Sequence, residues 1–384
     1  MTTIYDAIVI GAGGMGSAAA YYLSRMGQKT LLLEQFQLDH DRGSSYGESR
    51  IIRYAYDHPA YIALAKASYP LWRELEAASG EELYIKTGGI DFGIADDPQM
   101  LAIDHSLTVS QIPFEKLSPA ETAQRFPQFR LEDGMETIYQ ADAGVLKASQ
   151  CVKAHVRLAQ QQGTTLIEQA IVQRITPTAD HVTIETSQGT FQAGRLVMAA
   201  GSWSKHLLEK IGLALPLAPT REQQLFFRGN PPENFLPDQF PTFIAWLPEI
   251  TFYGISNVDG KGFKCAQHRS GEVVDPDQVK REIDPAYIER VRGFMKHHIP
   301  TGDGEPTAGR ICLYTMTPDE DFIIDRHPEY PYISFGAGFS GHGFKFTTLI
   351  GQILANLACG APVEYDLSHF RWDRFSSINP VAKL

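Results

Sequence analysis

The stretch that most constrains this chain lies near its N-terminus. Tyr5-Asp6-Ala7-Ile8-Val9-Ile10 reads as an apolar strand, and Gly11-Ala12-Gly13-Gly14-Met15-Gly16 follows at once. Ser17 to Met26 has the Ala, Tyr and Leu content of a helix, Gly27 closes it, and Lys29 to Leu33 is a second apolar strand ending at Glu34. Strand, G-x-G-x-x-G, helix, strand and acid within about thirty residues is the pattern of a dinucleotide-binding unit. Gly11 makes the tight turn, Gly13 lets the backbone approach a pyrophosphate, and Gly16 lets the helix pack close to the sheet. The helix start, with Gly14 and Met15, offers free N–H groups and a partial positive charge to phosphates. Glu34 falls 18 residues after Gly16, where a carboxylate accepts hydrogen bonds from both ribose hydroxyls. It would also repel a 2′-phosphate, which argues against NADP and leaves FAD and NAD.

The chain has 384 residues, 43% of them hydrophobic, enough for a large core and two domains. A formal net charge of −11 argues against a nucleic-acid partner, which needs a basic stripe. No run of eighteen apolar residues exists, so no membrane span is expected. Met1 leads straight into the first strand without a signal peptide, and the reading is a soluble cytoplasmic protein. Cys151, Cys265, Cys312 and Cys359 show no C-x-x-C spacing, which indicates neither a zinc site nor a disulfide framework.

Beyond Glu34 a polar loop runs from Asp39 to Ser49, and Arg50-Ile51-Ile52-Arg53 follows. A loop leaving the ribose-binding strand runs along the cofactor, so these arginines face either the cofactor or solvent. Helical periodicity covers Tyr61 to Ala78, and Ser118-Pro119-Ala120-Glu121 is a helix start. Tyr139 to Leu146 reads as strand and turn with Gly144 at the tip, and Ser149 to Gln162 as a helix ended by Gly163. A hairpin arm then leads into Leu196-Val197-Met198-Ala199-Ala200-Gly201. A strand ending in small residues passes close to FAD in flavoproteins, which moves the balance from NAD to FAD. An ordinary buried strand is the alternative. Pro216 to Pro219 reads as a linker into a mostly antiparallel middle region. A second Gly-rich loop, Gly336 to Phe346, leads into the helix Thr347–Leu357.

These pieces together resemble the monomeric sarcosine oxidase and N-methyl-L-tryptophan oxidase family of FAD-dependent amine oxidases. The resemblance covers nearly the whole chain. It rests on Gly11 to Gly16, on Gly43-Ser44-Ser45-Tyr46-Gly47-Glu48-Ser49-Arg50-Ile51-Ile52-Arg53, and on Gly262-Phe263-Lys264 with His268. Towards the C-terminus it adds Cys312-Leu313-Tyr314-Thr315, Asp319 to Asp325, and Gly338-Phe339-Ser340-Gly341-His342-Gly343-Phe344-Lys345-Phe346. It implies an α/β fold with an α+β second domain: a glutathione-reductase-like FAD-binding Rossmann domain and an antiparallel-sheet substrate domain. The expected FAD-binding segments are 1–84, 145–218 and 310–384, with 85–144 and 219–309 forming the substrate domain.

The resemblance also implies roles. FAD would be held by Gly11, Gly13, Gly14, Met15, Gly16, Glu34, Ser44, Arg50, Gly201, Gly341, Gly343, Phe344 and Lys345. It would be covalently joined by its 8α carbon to Cys312, although a lone Cys on a strand is by itself usually a buried small hydrophobe. Arg53 and Lys345 would bind the substrate carboxylate, where charge-assisted hydrogen bonds are strong. Lys264, His268, Tyr253 and Arg50 would serve catalysis: Lys264 towards O₂, His268 towards the amine proton, Arg50 towards the reduced flavin. The expected reaction is oxidation of a secondary amino acid to an imine, which hydrolyses to amine and aldehyde while O₂ becomes H₂O₂, in a monomer. A dehydrogenase on the same scaffold, a pipecolate-type imino-acid oxidase and a catalytically silent flavin binder are the alternatives. Two departures stand out. Tyr46 occupies a place where the family often has His, and Asp57-His58-Pro59 replaces a Gly-Glu-Gly gating turn, which puts sarcosine in doubt as the preferred substrate.

Overall fold

A computed structural model of the chain describes residues 2–375. The stretch 376–384, the end of the last expected FAD-binding segment, lies outside the described residues, as does Met1.

The strand Thr3–Ile10 occupies the middle of an eight-stranded sheet, parallel to Thr30–Leu33 on one side and to Gly189–Met198 on the other. Gly189–Met198 is long enough to pair twice along its far edge. Its first half meets antiparallel Val182–Thr186, and its second half meets parallel Ile333–Ala337. The parallel strands are covered on both faces, which is why they read as continuous apolar runs rather than alternating ones. Ala7, Val9, Leu32 and Val197 face the helices Gly14–Arg25, Ala148–Gln161 and Thr347–Cys359. Ile8, Ile10, Leu31 and Met198, pointing the opposite way, pack with Leu208, Leu213 and Leu217. The first helix lies so close to its strand that a Cβ on Gly16 would sit 1.8 Å from the Gly11 carbonyl oxygen.

The second sheet has nine strands, and every pairing in it is antiparallel except that of Gly89–Ile94 with Thr242–Trp246. Helix Pro285–His298 lays its Phe294 over a phenylalanine-rich face built from Phe92, Phe243, Phe252 and Phe263. Ala218–Phe227 pairs along its length with Pro306–Met316, so the expected linker at 216–219 already runs into a strand and the expected boundary at 309/310 falls inside one.

A small three-stranded sheet, Arg50–Ile52, Gly144–Leu146 and Tyr84–Lys86, forms between the large ones. It corrects two readings. The Arg50 segment is partly strand rather than loop. Gly144 opens a strand instead of tipping a turn, because only a residue without a side chain fits where a Cβ would lie 2.2 Å from the Ile85 carbonyl oxygen. The boundary expected at 84/85 likewise lies within a strand. The helix start at Ser118 forms as the sequence indicates, with Ser118 and Glu121 closing a reciprocal capping box.

Candidate functional site

The C-terminal ends of the parallel strands, the first helix and the underside of the second sheet enclose a cavity of about 540 Å³. One end is built by the first glycine-rich turn. Gly11 has φ +98° and runs so close to the next strand that a Cβ there would lie 2.6 Å from the Ala199 carbonyl oxygen. Helix Gly14–Arg25 starts without a side-chain cap and with no acid in its first turn, leaving its positive end towards the cavity. The Gly14 N–H donates to Ser45 Oγ at 2.9 Å. Thr347 Oγ1, in the same wall, is buried without any hydrogen-bond partner, and a Cβ on Gly14 would lie 3.0 Å from it. A helix N-terminus free of acids, an orphaned hydroxyl and a surface stripped of side chains fit a dinucleotide diphosphate.

Glu34 is buried at the end of Thr30–Leu33. Its Oε2 accepts from the Ala12 N–H and its Oε1 from the Phe36 N–H, both at 2.9 Å, and each oxygen keeps a lone pair for a hydroxyl. Gly13, Met15, Ser44 and Gly201 also line the cavity, whereas Gly16 lies behind the turn and serves helix packing instead of lining the site. Ser44 spends its hydroxyl on the Leu313 carbonyl, tying the loop to the strand that bears Cys312.

Around the middle of the cavity stand Cys312, Arg50, Tyr46 and Lys264. Cys312 Sγ accepts from Gln224 Nε2 at 3.2 Å, and burial pushes its thiol up to about 11. Arg50 donates to the carbonyls of Ser49, Ser44 and Tyr46 at 2.7, 2.6 and 2.9 Å, and its guanidinium lies 5.9 Å from the centre of the Phe344 ring. Tyr46 donates to the Ile311 carbonyl, and burial raises its phenol to about 12. Lys264, buried on strand Phe263–His268, donates from Nζ to the Ser49 carbonyl at 3.1 Å. Burial first, then the neighbouring Arg50, hold its ammonium well below the ordinary lysine range.

The remaining end is cationic and aromatic. Arg53 is buried between Tyr56 and Trp246, 4.9 and 5.8 Å from their ring centres, and is paired with Asp91 at 2.9 Å. Lys345 donates to the Tyr56 hydroxyl at 2.8 Å and the His342 carbonyl at 2.7 Å. Burial, then Arg53, push its ammonium well below the usual value. His268 Nδ1 lies 3.3 Å from the Tyr314 hydroxyl, and the Tyr253 ring stands edge-on to it at 6.1 Å. Burial, then Arg269, lower the imidazole far below 6.5, so it is neutral at pH 7, while burial pushes the Tyr253 phenol up. In the second glycine-rich turn Gly341 has φ +82°, and its missing side chain leaves room for Tyr314, 2.2 Å from where a Cβ would be. Gly343 does the same for Phe339 at 2.6 Å. Phe344 stacks on Trp72, whose Nε1 donates to the Lys345 carbonyl at 2.7 Å.

At the mouth, His58 caps helix Pro59–Ser79 by accepting from the Ala60 N–H at 3.2 Å, and its ring stacks on His369 at 4.3 Å. Thus the Asp57-His58-Pro59 segment is anchored as a helix start. Sequence reasoning missed Ser45, Tyr56, Asp91, Gln224, Trp246 and Thr347 as site residues. Asp91 alone carried a signal, a carboxylate in a strand otherwise fit for burial. No group of His, Cys, Asp and Glu suited to a metal occurs among the described residues, and no helix there is long and apolar enough to cross a membrane.

The sequence profile of the DAO family, FAD dependent oxidoreductase, matches residues 6–357. Monomeric sarcosine oxidase of Bacillus sp. (strain B-0618) is 36% identical over 383 residues, covering 97% of each chain. N-methyl-L-tryptophan oxidase of Citrobacter koseri is 30% identical over 374 residues, covering 97% of this chain and 99% of the other. Among solved structures, NikD, an unusual amino acid oxidase essential for nikkomycin biosynthesis, superposes with a TM-score of 0.85 at 27% identity, covering 96% of this chain and 98% of its own.

Proposed function

Because the chain belongs to the DAO family of FAD-dependent oxidoreductases, we propose that it oxidises the C–N bond of a secondary amino acid, such as sarcosine, N-methyltryptophan or a similar N-alkyl amino acid. The observation that carries this reading is the meeting, in the cavity that bears the glycine cradle, of two buried cations, Arg53 and Lys345, with the neutral imidazole of His268. A carboxylate is the ligand that two such cations stabilise in a dry pocket.

FAD bound in the cradle supplies the acceptor for two electrons from the substrate and their onward transfer to O₂ as H₂O₂. The chain supplies the rest. Gly11, Gly13, Gly14 and Met15 receive the diphosphate and Glu34 the ribose, with Ser44, Gly201, Gly341, Gly343 and Phe344 lining the remainder. Cys312 is the point of attachment to the 8α carbon. Arg53 and Lys345 fix the carboxylate and thereby aim the amine. The amine must react unprotonated, since an ammonium nitrogen has no lone pair with which to expel hydride. His268, neutral and among the described residues paired with no acid, is the group that takes or orients that proton, with Tyr253 beside it. Lys264 stabilises negative charge on oxygen as O₂ is reduced, and Arg50 the charge of the reduced cofactor. The imine product leaves and hydrolyses to amine and aldehyde. We further take the parallel sheet as the FAD-binding unit, the nine-stranded sheet as the substrate unit, and the protein as a cytoplasmic monomer.

Oxygen uptake and peroxide release with sarcosine, N-methyl-L-tryptophan and pipecolate test the proposal directly. Turnover should need the secondary amine and the carboxylate together, and Arg53→Met should abolish saturation at millimolar substrate. Turnover with a quinone acceptor but not with O₂ would convert the reading to a dehydrogenase. No turnover with either acceptor would defeat it.

A further inference from the structure

Asp91 belongs to none of the groups that meet cofactor or substrate, yet two walls of the pocket depend on it. It is 3% exposed, on the strand Gly89–Ile94 of the second sheet. One oxygen, Oδ1, accepts from Arg53 Nη1 at 2.9 Å and from Trp246 Nε1 at 3.0 Å. The Trp246 strand is the one that runs parallel to the Asp91 strand, with Ile244 directly opposite Asp91. Arg53 Nη1 also donates to the Ala55 carbonyl, so both of its hydrogens are used. Among the described residues Arg53 Nη2 and Nε have no acceptor, and Arg53 and Trp246 both line the cavity.

We propose that Asp91 is a positioning residue. It fixes Arg53 by one edge so that the Nε and Nη2 edge is presented to the substrate carboxylate, and through the same oxygen it sets the Trp246 wall that the substrate side chain meets. The proposal rests on the N-alkyl amino acid reading. Its physical basis is that a guanidinium recognises a carboxylate bidentately only when its plane is fixed. The Tyr56 and Trp246 rings, 4.9 and 5.8 Å from the Arg53 guanidinium carbon, attract the cation but offer no directional bond that would fix its rotation. The charge-assisted bond to Asp91 fixes it. Linking the cation and the aromatic wall through one oxygen makes carboxylate recognition and side-chain selection interdependent.

The test uses the flavin-loaded enzyme and two kinds of readout. Propionate is titrated by the change it causes in flavin absorbance, and kinetics are measured with sarcosine and N-methyl-L-tryptophan. Asp91→Asn keeps the shape and an acceptor but removes the charge. It should weaken propionate binding and raise KM for both substrates at least tenfold while kcat changes less than threefold. Trp246→Phe keeps the Asp91–Arg53 pair and removes the indole donor together with part of the wall's ring. It should leave propionate binding within twofold and change the kcat/KM ratio between the two substrates at least fivefold. Propionate binding that is unchanged or tighter in Asp91→Asn overturns the positioning role, because a bare charge effect would strengthen anion binding. An unfolded Asp91→Asn protein leaves the decision to Trp246→Phe, and an unaltered substrate ratio there overturns the proposal. If the wild type oxidises neither substrate yet propionate binding follows the expected pattern, the functional reading fails and Asp91 keeps its part.

Discussion

Replacing Lys264 by Met should make the protein more stable and a worse oxidase. Lys264 is 3% exposed, its Nζ has a single hydrogen bond among the described residues, to the Ser49 carbonyl, and its charged neighbours include Arg50 and Arg310. Met fills nearly the same volume without charge, and removing a poorly compensated buried ion in favour of an apolar group stabilises by about 1–4 kcal/mol. For 384 residues the unfolding entropy is about 0.8 kcal/mol/K, so the rise in Tm should be roughly 1–5 °C. The pH dependence identifies the cause. Burial and Arg50 lower the pKa of Lys264 in the folded state, so between that value and about 10.5 the unfolded chain binds more protons and wild-type stability rises with pH. The advantage of Met is therefore fully present at low pH and shrinks as pH climbs through that window. Thermal unfolding of both flavin-loaded proteins from pH 6 to 10, followed by flavin fluorescence, measures it. Rapid mixing of reduced enzyme with O₂ measures the cost, a reoxidation rate expected to fall at least 100-fold, as for loss of a transition-state charge worth about 3 kcal/mol. A less stable Met variant at every pH, or an advantage that grows with pH, would refute the reasoning.

Cys312→Ser should release its flavin into the supernatant on acid precipitation, whereas the wild-type pellet should stay yellow; a colourless wild-type pellet refutes the thioether. Lys345→Gln removes a charge-assisted hydrogen bond worth about 1.5–3 kcal/mol and should raise KM about 10- to 100-fold, with kcat much less affected, in steady-state oxygen uptake. Gly341→Ala forces a side chain into φ +82° and against the Tyr314 ring. Strain and overpacking of about 1–3 kcal/mol each should lower Tm and displace His268, and an unchanged Tm would show that the turn yields freely.

The parts of this fold that were legible in the sequence are those set by local chemistry. Gly11 and Gly16 reveal a turn that no side chain can occupy, Glu34 marks the end of a strand by its distance from them, and Ser118 with Glu121 announces a helix start. The Cys312 and Lys345 neighbourhoods were found by resemblance, and the structure brings both to one cavity. Contacts made across the sheets were not legible. Gly144 looked like a turn because its reason for being glycine is Ile85, far away in sequence. Ser45 looked like any loop serine until the helix end was seen to need its oxygen. Asp91 meets Arg53 from 38 positions away and Trp246 from 155, through register that no local pattern encodes.

The distribution of acids around the cavity separates its lysines from its arginines. Arg53 has Asp91 and Arg269 has Glu320, while Arg50 is held by three carbonyl oxygens. Lys264 and Lys345, among the described residues, have no carboxylate partner, only carbonyl and hydroxyl oxygens. The division follows from proton chemistry. An arginine stays charged whatever its surroundings, so a buried one needs a permanent partner. A lysine can meet burial by giving up its proton, and both of these are pushed in that direction. On the proposed function, the anion that would favour the charged form is the substrate carboxylate at Lys345 and reduced oxygen at Lys264. Substrate binding should consequently take up a proton at Lys345 and weaken as pH rises above the depressed pKa of that group. Lys345→Arg, with a charge that does not titrate, should abolish this dependence of carboxylate affinity on pH. Titrating propionate into both proteins from pH 6 to 10 compares them, and parallel slopes would mean that the proton is bound elsewhere.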